Sequence, residues 1–148
     1  MTQARRKTAG HGRPKDLEKR QAILDAAKRL FPRHGYDGIS MDAIAAEAGV
    51  SKLTVYSHFS DKDTLFQAAV VAKCEEQLPH NWFELGPGNR PIGESLVEIG
   101  MAFRSLVNSE EAVSMYRMMA AQAGNGGPSK LAQLFFEAGP KRTLDEFE

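Results

Sequence analysis

The chain has 148 residues, 42% hydrophobic and 26% charged, the balance of a globular domain with enough apolar sequence to bury a core. A lone cysteine, Cys74, excludes an intrachain disulfide and suits a reducing compartment. No run of 18 apolar residues spans a membrane, and the basic N-terminus leads into charged sequence, so a cytoplasmic protein with no membrane partner is expected. The zero net charge hides a split, with 11 Lys and Arg against 6 Asp and Glu in residues 1–60, and 8 against 13 in residues 61–148. A polyanion is therefore expected to meet only the N-terminal part.

Residues 1–15 carry Arg5, Arg6, Lys7, Arg13 and Lys15 among glycines without an apolar period, and read as a flexible basic arm. A helix is predicted from Asp16, whose acid and Glu18 suit a helix N-terminus, with Ile23, Leu24, Ala27, Leu30 and Phe31 as its buried stripe. It ends between Arg33 and Gly35, where Pro32 makes an irregular last turn possible.

Residues 39–59 hold the most specific pattern. A short amphipathic helix from Met41 with Ser40 as N-cap, a turn at Gly49 and a second short helix opened by Ser51 make a helix-turn-helix. Ile44 and Ala48 share a face, Ala45 keeps the first helix thin at the crossing, and Val55 and Phe59 supply the inward face of the second. Gly49 can adopt the positive φ of the turn. Ser60 to Asp63 has the form of a capping box, opening a helix from about residue 61 to residue 78, stopped by Pro79.

The region 85–91 is rich in Gly and Pro and reads as a loop. Helices follow over 92–108, with Leu96, Ile99, Phe103, Leu106 and Val107 on one side, and over 110–123. After the break at 124–128, Ser129 caps a last helix with Leu131, Leu134, Phe135 and Leu144 inward. The fold class is all-α: a three-helix head over 16–60 and a helical body over 61–148, for which the family resemblance given below implies effector binding and dimerisation. The chain ends at Glu148 inside this last helix, so the body is expected to be incomplete.

No enzyme is expected. The histidines at 11, 34, 58 and 80 are scattered, and neither a metal-ligand spacing, a phosphate-binding glycine loop nor a nucleophile signature is present, so no metal and no cofactor is predicted.

The segments Arg20 to Phe31, Gly35-Tyr36, Ile39 to Phe59 and Asp61 to Phe66, in this order and spacing, resemble the N-terminal domain of TetR/AcrR-family transcriptional regulators. Residues 134–142 are similar to the AefR-like branch of that family. The resemblance implies a homodimeric repressor that binds a double-stranded DNA operator and is released by a small effector. It also implies that residues 51–58 form the recognition helix. Lys52 can reach a phosphate or guanine, and Thr54 offers a hydroxyl and a methyl. Ser40, Ser51 and Lys62 stand at helix N-termini suited to phosphate. Tyr56 reads either as a phosphate contact or as packing on the next helix, and His58 either as a DNA contact or as a surface histidine. Leu53 occupies a position where the family often has glycine.

An apolar or aromatic effector is expected in a pocket lined by Phe66, Val70, Cys74, Trp82, Phe83, Met101, Phe103, Met115, Tyr116 and Met119, although such residues at helical spacing equally describe a core. A second functional reading is a small-molecule carrier or interaction module with a vestigial DNA-binding head.

Overall fold

In the computed structural model, residues 12–77, 91–123 and 129–145 are described, and among them every regular element is helical. The order is α1 Gly12–His34, α2 Met41–Ala48, α3 Lys52–His58, α4 Lys62–Gln77, α5 Ile92–Val107, α6 Glu110–Gln122, α7 Lys130–Ala138 and α8 Pro140–Asp145. The expectations for residues 1–11, for Trp82 and Phe83, and for the loop over 85–90 lie outside the described residues.

Helix α1 starts four residues before the predicted Asp16, so residues 12–15 belong to it rather than to an arm. Pro14 does not prevent this, because a first-turn N–H has no intrahelical partner to lose. As a result, no acid lies in the first turn of α1. At the other end the helix runs through Pro32 to His34, and Gly35, at φ 77°, closes it by donating its N–H to Phe31 O at 2.9 Å.

One core joins the head to the body. Ile23, Ala26, Ala27 and Phe31 of α1, Ile44 of α2, Val55 of α3 and Leu65 and Phe66 of α4 are fully buried, and Met115, Leu131 and Ala138 continue the cluster into α6 and α7. The rings of Phe31, Tyr36 and Phe66 form its aromatic centre, with Phe31 edge-on to Phe66 at 5.3 Å. Helix α1 lies against α2, α3, α4 and α6, and α4 also meets α7. The head therefore shares two helices with the wall of the body.

Two body expectations are corrected. The predicted last helix is two, divided at Gly139, because a residue before proline is pushed out of the helical region while Pro140 suits the first position of a new helix. Leu144, expected inward, is 61% exposed on α8. Helix α5 has no buried residue at all. Of the residues expected together on one side of it, Phe103, Leu106 and Val107 line the cavity described below, while Leu96 and Phe103 are at least half exposed, as are Ile92, Val97 and Met101.

Candidate nucleic-acid interface and internal cavity

The helix-turn-helix is held by local bonds that the residue types dictate. Ser40 Oγ accepts from Ala43 N–H at 3.1 Å to open α2, and Ser51 Oγ accepts from Thr54 N–H at 3.1 Å to open α3. Between them Gly49 takes φ 67°, donating to Ala46 O at 3.2 Å, while Val50 donates to Ala45 O at 3.0 Å, the paired bonds of a Schellman turn.

With Val55 and the capping Phe59 turned into the core, the short α3 has a defined outer face. Leu53 is 80% exposed and Tyr56 43%, and Ser51, Lys52 and Ser57 are exposed beside them. Lys52 Nζ lies 2.9 Å from Asp42 on α2, and the hydrogen bond to that carboxylate holds the ammonium above the usual lysine range. Asp42 is the residue sequence reasoning missed here. Its only sequence signal is an acid in the first turn of α2, which reads equally well as a dipole partner. Thr54 is half-buried, its hydroxyl 2.8 Å from Ser51 Oγ.

Two expected contacts turn inward. The side chain of His58 is only 10% exposed, with Nε2 3.2 Å from Asp16 Oδ1 but out of line for a hydrogen bond. A position at the last turn of so short a helix faces α1 rather than the outer surface. Lys62 donates to Tyr36 O at 2.9 Å and Ile39 O at 3.0 Å, with its ammonium 4.3 Å from the Tyr36 ring centre. It fastens α4 to the α1–α2 turn. The predicted capping box is also displaced by one residue: Asp61, not Ser60, accepts the Thr64 N–H, at 2.7 Å.

The same turn is tied to the body. Tyr36 donates its hydroxyl to Asp63, which also pairs with Lys130 of α7. The Lys130 and Tyr36 bonds hold the Asp63 carboxyl below the usual carboxylate range, while burial and Asp63 push the Tyr36 phenol up. From α6, Ser114 donates to Pro32 O at 2.5 Å and Gln122 to Asp37 at 2.5 Å, while Met118 Sδ accepts the Tyr36 N–H at 2.8 Å. These residues recur every four positions, so one stripe of α6 grips the end of α1 and the turn after it.

A different part of α6 faces a cavity of about 180 Å³ between α1, α4, α5, α6, α7 and α8. Phe66, Val70, Cys74, Phe103, Met115 and Tyr116, all expected there, line it. Met101 does not, being 63% exposed on α5, and Met119 is half-buried on the core outside the cavity lining. Phe31, Lys28, Lys73 and Phe135 were missed. Phe31 was legible only as a core stripe residue, and it does both jobs. Among the described residues no cluster of three metal-ligating side chains occurs, and no helix is long and apolar enough to cross a membrane.

A capped helix-turn-helix fused through α1 and α4 to a helical body with an apolar cavity between its helices has the architecture of a DNA-binding transcriptional regulator. Residues 23–69 match the family described as bacterial regulatory proteins, tetR family, and residues 94–148 match the AefR-like transcriptional repressor C-terminal domain. The chain belongs to the TetR/AcrR family of transcriptional regulators.

Among curated relatives, it is 42% identical over 66 residues to the HTH-type transcriptional repressor AcnR of Corynebacterium diphtheriae, a match covering 43% of this chain and 35% of that one. Among solved structures, a TetR-family transcriptional regulator from Mesorhizobium loti superposes with a TM-score of 0.65 at 30% identity, over 89% of this chain and 65% of that one. The flavonoid-responsive regulator FrrA superposes with a TM-score of 0.58 at 34% identity, over 86% of this chain and 63% of that one. The chain thus spans just under two thirds of the length of these two structures.

Proposed function

We propose that this protein is a sequence-specific DNA-binding transcriptional repressor, acting as a homodimer in the cytoplasm and released from its operator when a small apolar or aromatic effector fills the internal cavity. The observation that carries this reading is the division of labour on α3. Val55 and Phe59 anchor the helix, while Lys52, Leu53 and Tyr56 stand exposed on its other side. A helix so presented fits a major groove, where Lys52 can bond guanine O6 and N7 or a phosphate, Leu53 can contact a thymine methyl and Tyr56 a phosphate oxygen.

Ser40, Ser51 and Thr54 lie close by, with hydroxyls bonded to neighbouring backbone or to each other; they contribute the N-terminal edges of α2 and α3 to the phosphate track. Lys62 contributes chiefly by holding the turn, with one N–H left over for a phosphate beyond its two carbonyl bonds. His58 acts from behind α3 as packing. In the dimer, the two recognition helices would meet half-sites about 34 Å or more apart.

The cavity supports the effector half of the reading, because two of the helices that wall it, α1 and α4, are the ones the head shares with the body. FrrA, described as flavonoid-responsive, is a relative consistent with an aromatic ligand. The test is fluorescence anisotropy of a labelled duplex from upstream of the protein's own gene, beside a scrambled duplex, across a salt series. A preference for the upstream duplex, with affinity falling steeply as salt rises, supports a sequence-reading regulator. Equal weak binding to both duplexes would remove operator recognition. Absence of DNA binding at low salt, together with ligand-induced thermal stabilisation, would favour a carrier or interaction module instead.

A further inference from the structure

The apolar cavity does not end in apolar sequence. Its wall near the end of α1 is formed by Lys28, Pro32, Lys73 and Glu111, and the same four residues line a second, polar compartment of about 260 Å³. The two spaces are neighbours across one charged partition. The outer space adds Asp25, Glu76 and two arginines, whereas the charged side chains lining the inner one are two lysines and a single glutamate.

The two lysines differ in how firmly they are held. Lys28, its side chain 13% exposed, lies 2.9 Å from Asp25 and is bonded to Glu76, both outside the inner cavity. Although burial works to lower its pKa, those two bonds raise it overall, so it stays a cation. Lys73 is 31% exposed and stands 3.9 Å from Glu111, longer than a hydrogen bond. Its stem lies along the apolar wall and its ammonium retains donors for another acceptor. Burial pushes the Cys74 thiol and the Tyr116 phenol up, so both remain neutral at pH 7 and add no negative charge to the cavity.

An anion carried into an apolar cavity must find a cation, and the cations lining this one, Lys28 and Lys73, stand together on one wall. Resting on the effector-pocket reading above, we infer that the effector is an amphipathic acid, its apolar or aromatic body enclosed by Phe31, Phe66, Met115 and Phe135 and its single anionic group bonded by Lys73, with Lys28 behind it. Lys73 is thereby the residue that selects acids over neutral molecules of the same shape. A cationic effector would instead face two lysines across the inner wall, with Glu111 as its one counter-charge there.

Two naphthalene fluorophores of nearly the same body test this on the full chain: 1-anilinonaphthalene-8-sulfonate, which is anionic, and N-phenyl-1-naphthylamine, which is neutral. Both are titrated against the unaltered protein, Lys73→Met, Lys73→Gln and Ala112→Trp, the last filling the cavity. The expected result is that both probes bind and both are lost in Ala112→Trp. Lys73→Met and Lys73→Gln should each weaken only the sulfonate, by about tenfold or more, as expected for a charge-assisted bond. Thermal melting checks that these variants remain folded. If both probes bind in the cavity but Lys73 replacement leaves the sulfonate unchanged, or weakens both alike, the acidic-group inference falls while the pocket stands. If neither probe binds, or Ala112→Trp still binds both, the pocket reading itself falls and the inference with it.

Discussion

Lys62 donates to the backbone carbonyl of Tyr36 and lies over the face of the same residue's ring, its ammonium 4.3 Å from the ring centre. With its second bond, to Ile39 O, the side chain closes the link between α1 and α2 from the start of α4. A lysine at a helix N-terminus beside DNA suggests phosphate from sequence alone. In the folded chain its first duty is to satisfy two carbonyls.

Lys62→Met is accordingly expected to lower stability by about 1–3 kcal/mol, since two part-buried carbonyls lose a charged donor and the ring loses its cation. The loss is read as a lowered denaturant midpoint, with DNA affinity falling in proportion to unfolding. A variant that melts normally yet binds DNA more weakly, with the salt slope reduced by about one, would return Lys62 to a phosphate-contact role.

Gly49 sits at φ 67° with open space where a Cβ would lie, so only backbone strain opposes a side chain there. Gly49→Ala should therefore cost about 1–2 kcal/mol, and Gly49→Asn less, because asparagine tolerates the left-handed region better. Thermal denaturation of the two variants ranks them directly. Equal melting of glycine and alanine forms would mean that the turn relaxes to another geometry.

The turn at Gly49 and the caps at Ser40, Ser51 and Ser129 were legible because their causes are local: a left-handed residue, a hydroxyl three positions before an amide, and apolar residues four apart. Ile23, Leu24, Ala27 and Phe31 of α1 were legible for the same reason, whereas the fully buried Ala26 was not anticipated and Leu30 is only partly buried. His58, Met101 and Leu144 were not, because helical spacing says which residues share a face but not which face a distant helix will cover. For α5 the apolar period is strong, yet none of its residues is buried among those described. Six cavity residues were anticipated, but the lysines at its wall were not, since Lys28 and Lys73 are 45 positions apart and meet only through the packing of α1 on α4.

Asp63 joins the Tyr36 hydroxyl to Lys130, and those bonds hold its folded-state pKa below the usual value. For a carboxyl with a depressed folded pKa, the stabilisation is fully present above the unfolded value of about 3.9 and is lost as pH falls through the lower folded value. The unaltered protein should thus lose more melting temperature than Asp63→Asn between pH 5 and the acid limit, while being the more stable of the two at pH 7. Parallel pH profiles for the two proteins would show that the carboxylate is energetically silent.

Lys52 and Asp42 form an exposed pair, so neither contributes much to stability, and their effects belong to DNA binding. Lys52→Ala should leave melting within about 0.5 kcal/mol, weaken the operator by about 1–3 kcal/mol if the ammonium reads guanine, and relax preference at one base position. Asp42→Ala should act in the opposite direction. Removing that carboxylate frees the ammonium and takes a negative charge from the surface offered to phosphates, so affinity rises for operator and scrambled duplex alike and its salt dependence steepens. The double variant distinguishes a pair from two independent charges. If Asp42 acts through Lys52, replacing Asp42 in the Lys52→Ala background should have less effect than in the unaltered protein. Full additivity would mean that Asp42 repels DNA directly and that Lys52 leaves its partner at no cost when the groove arrives.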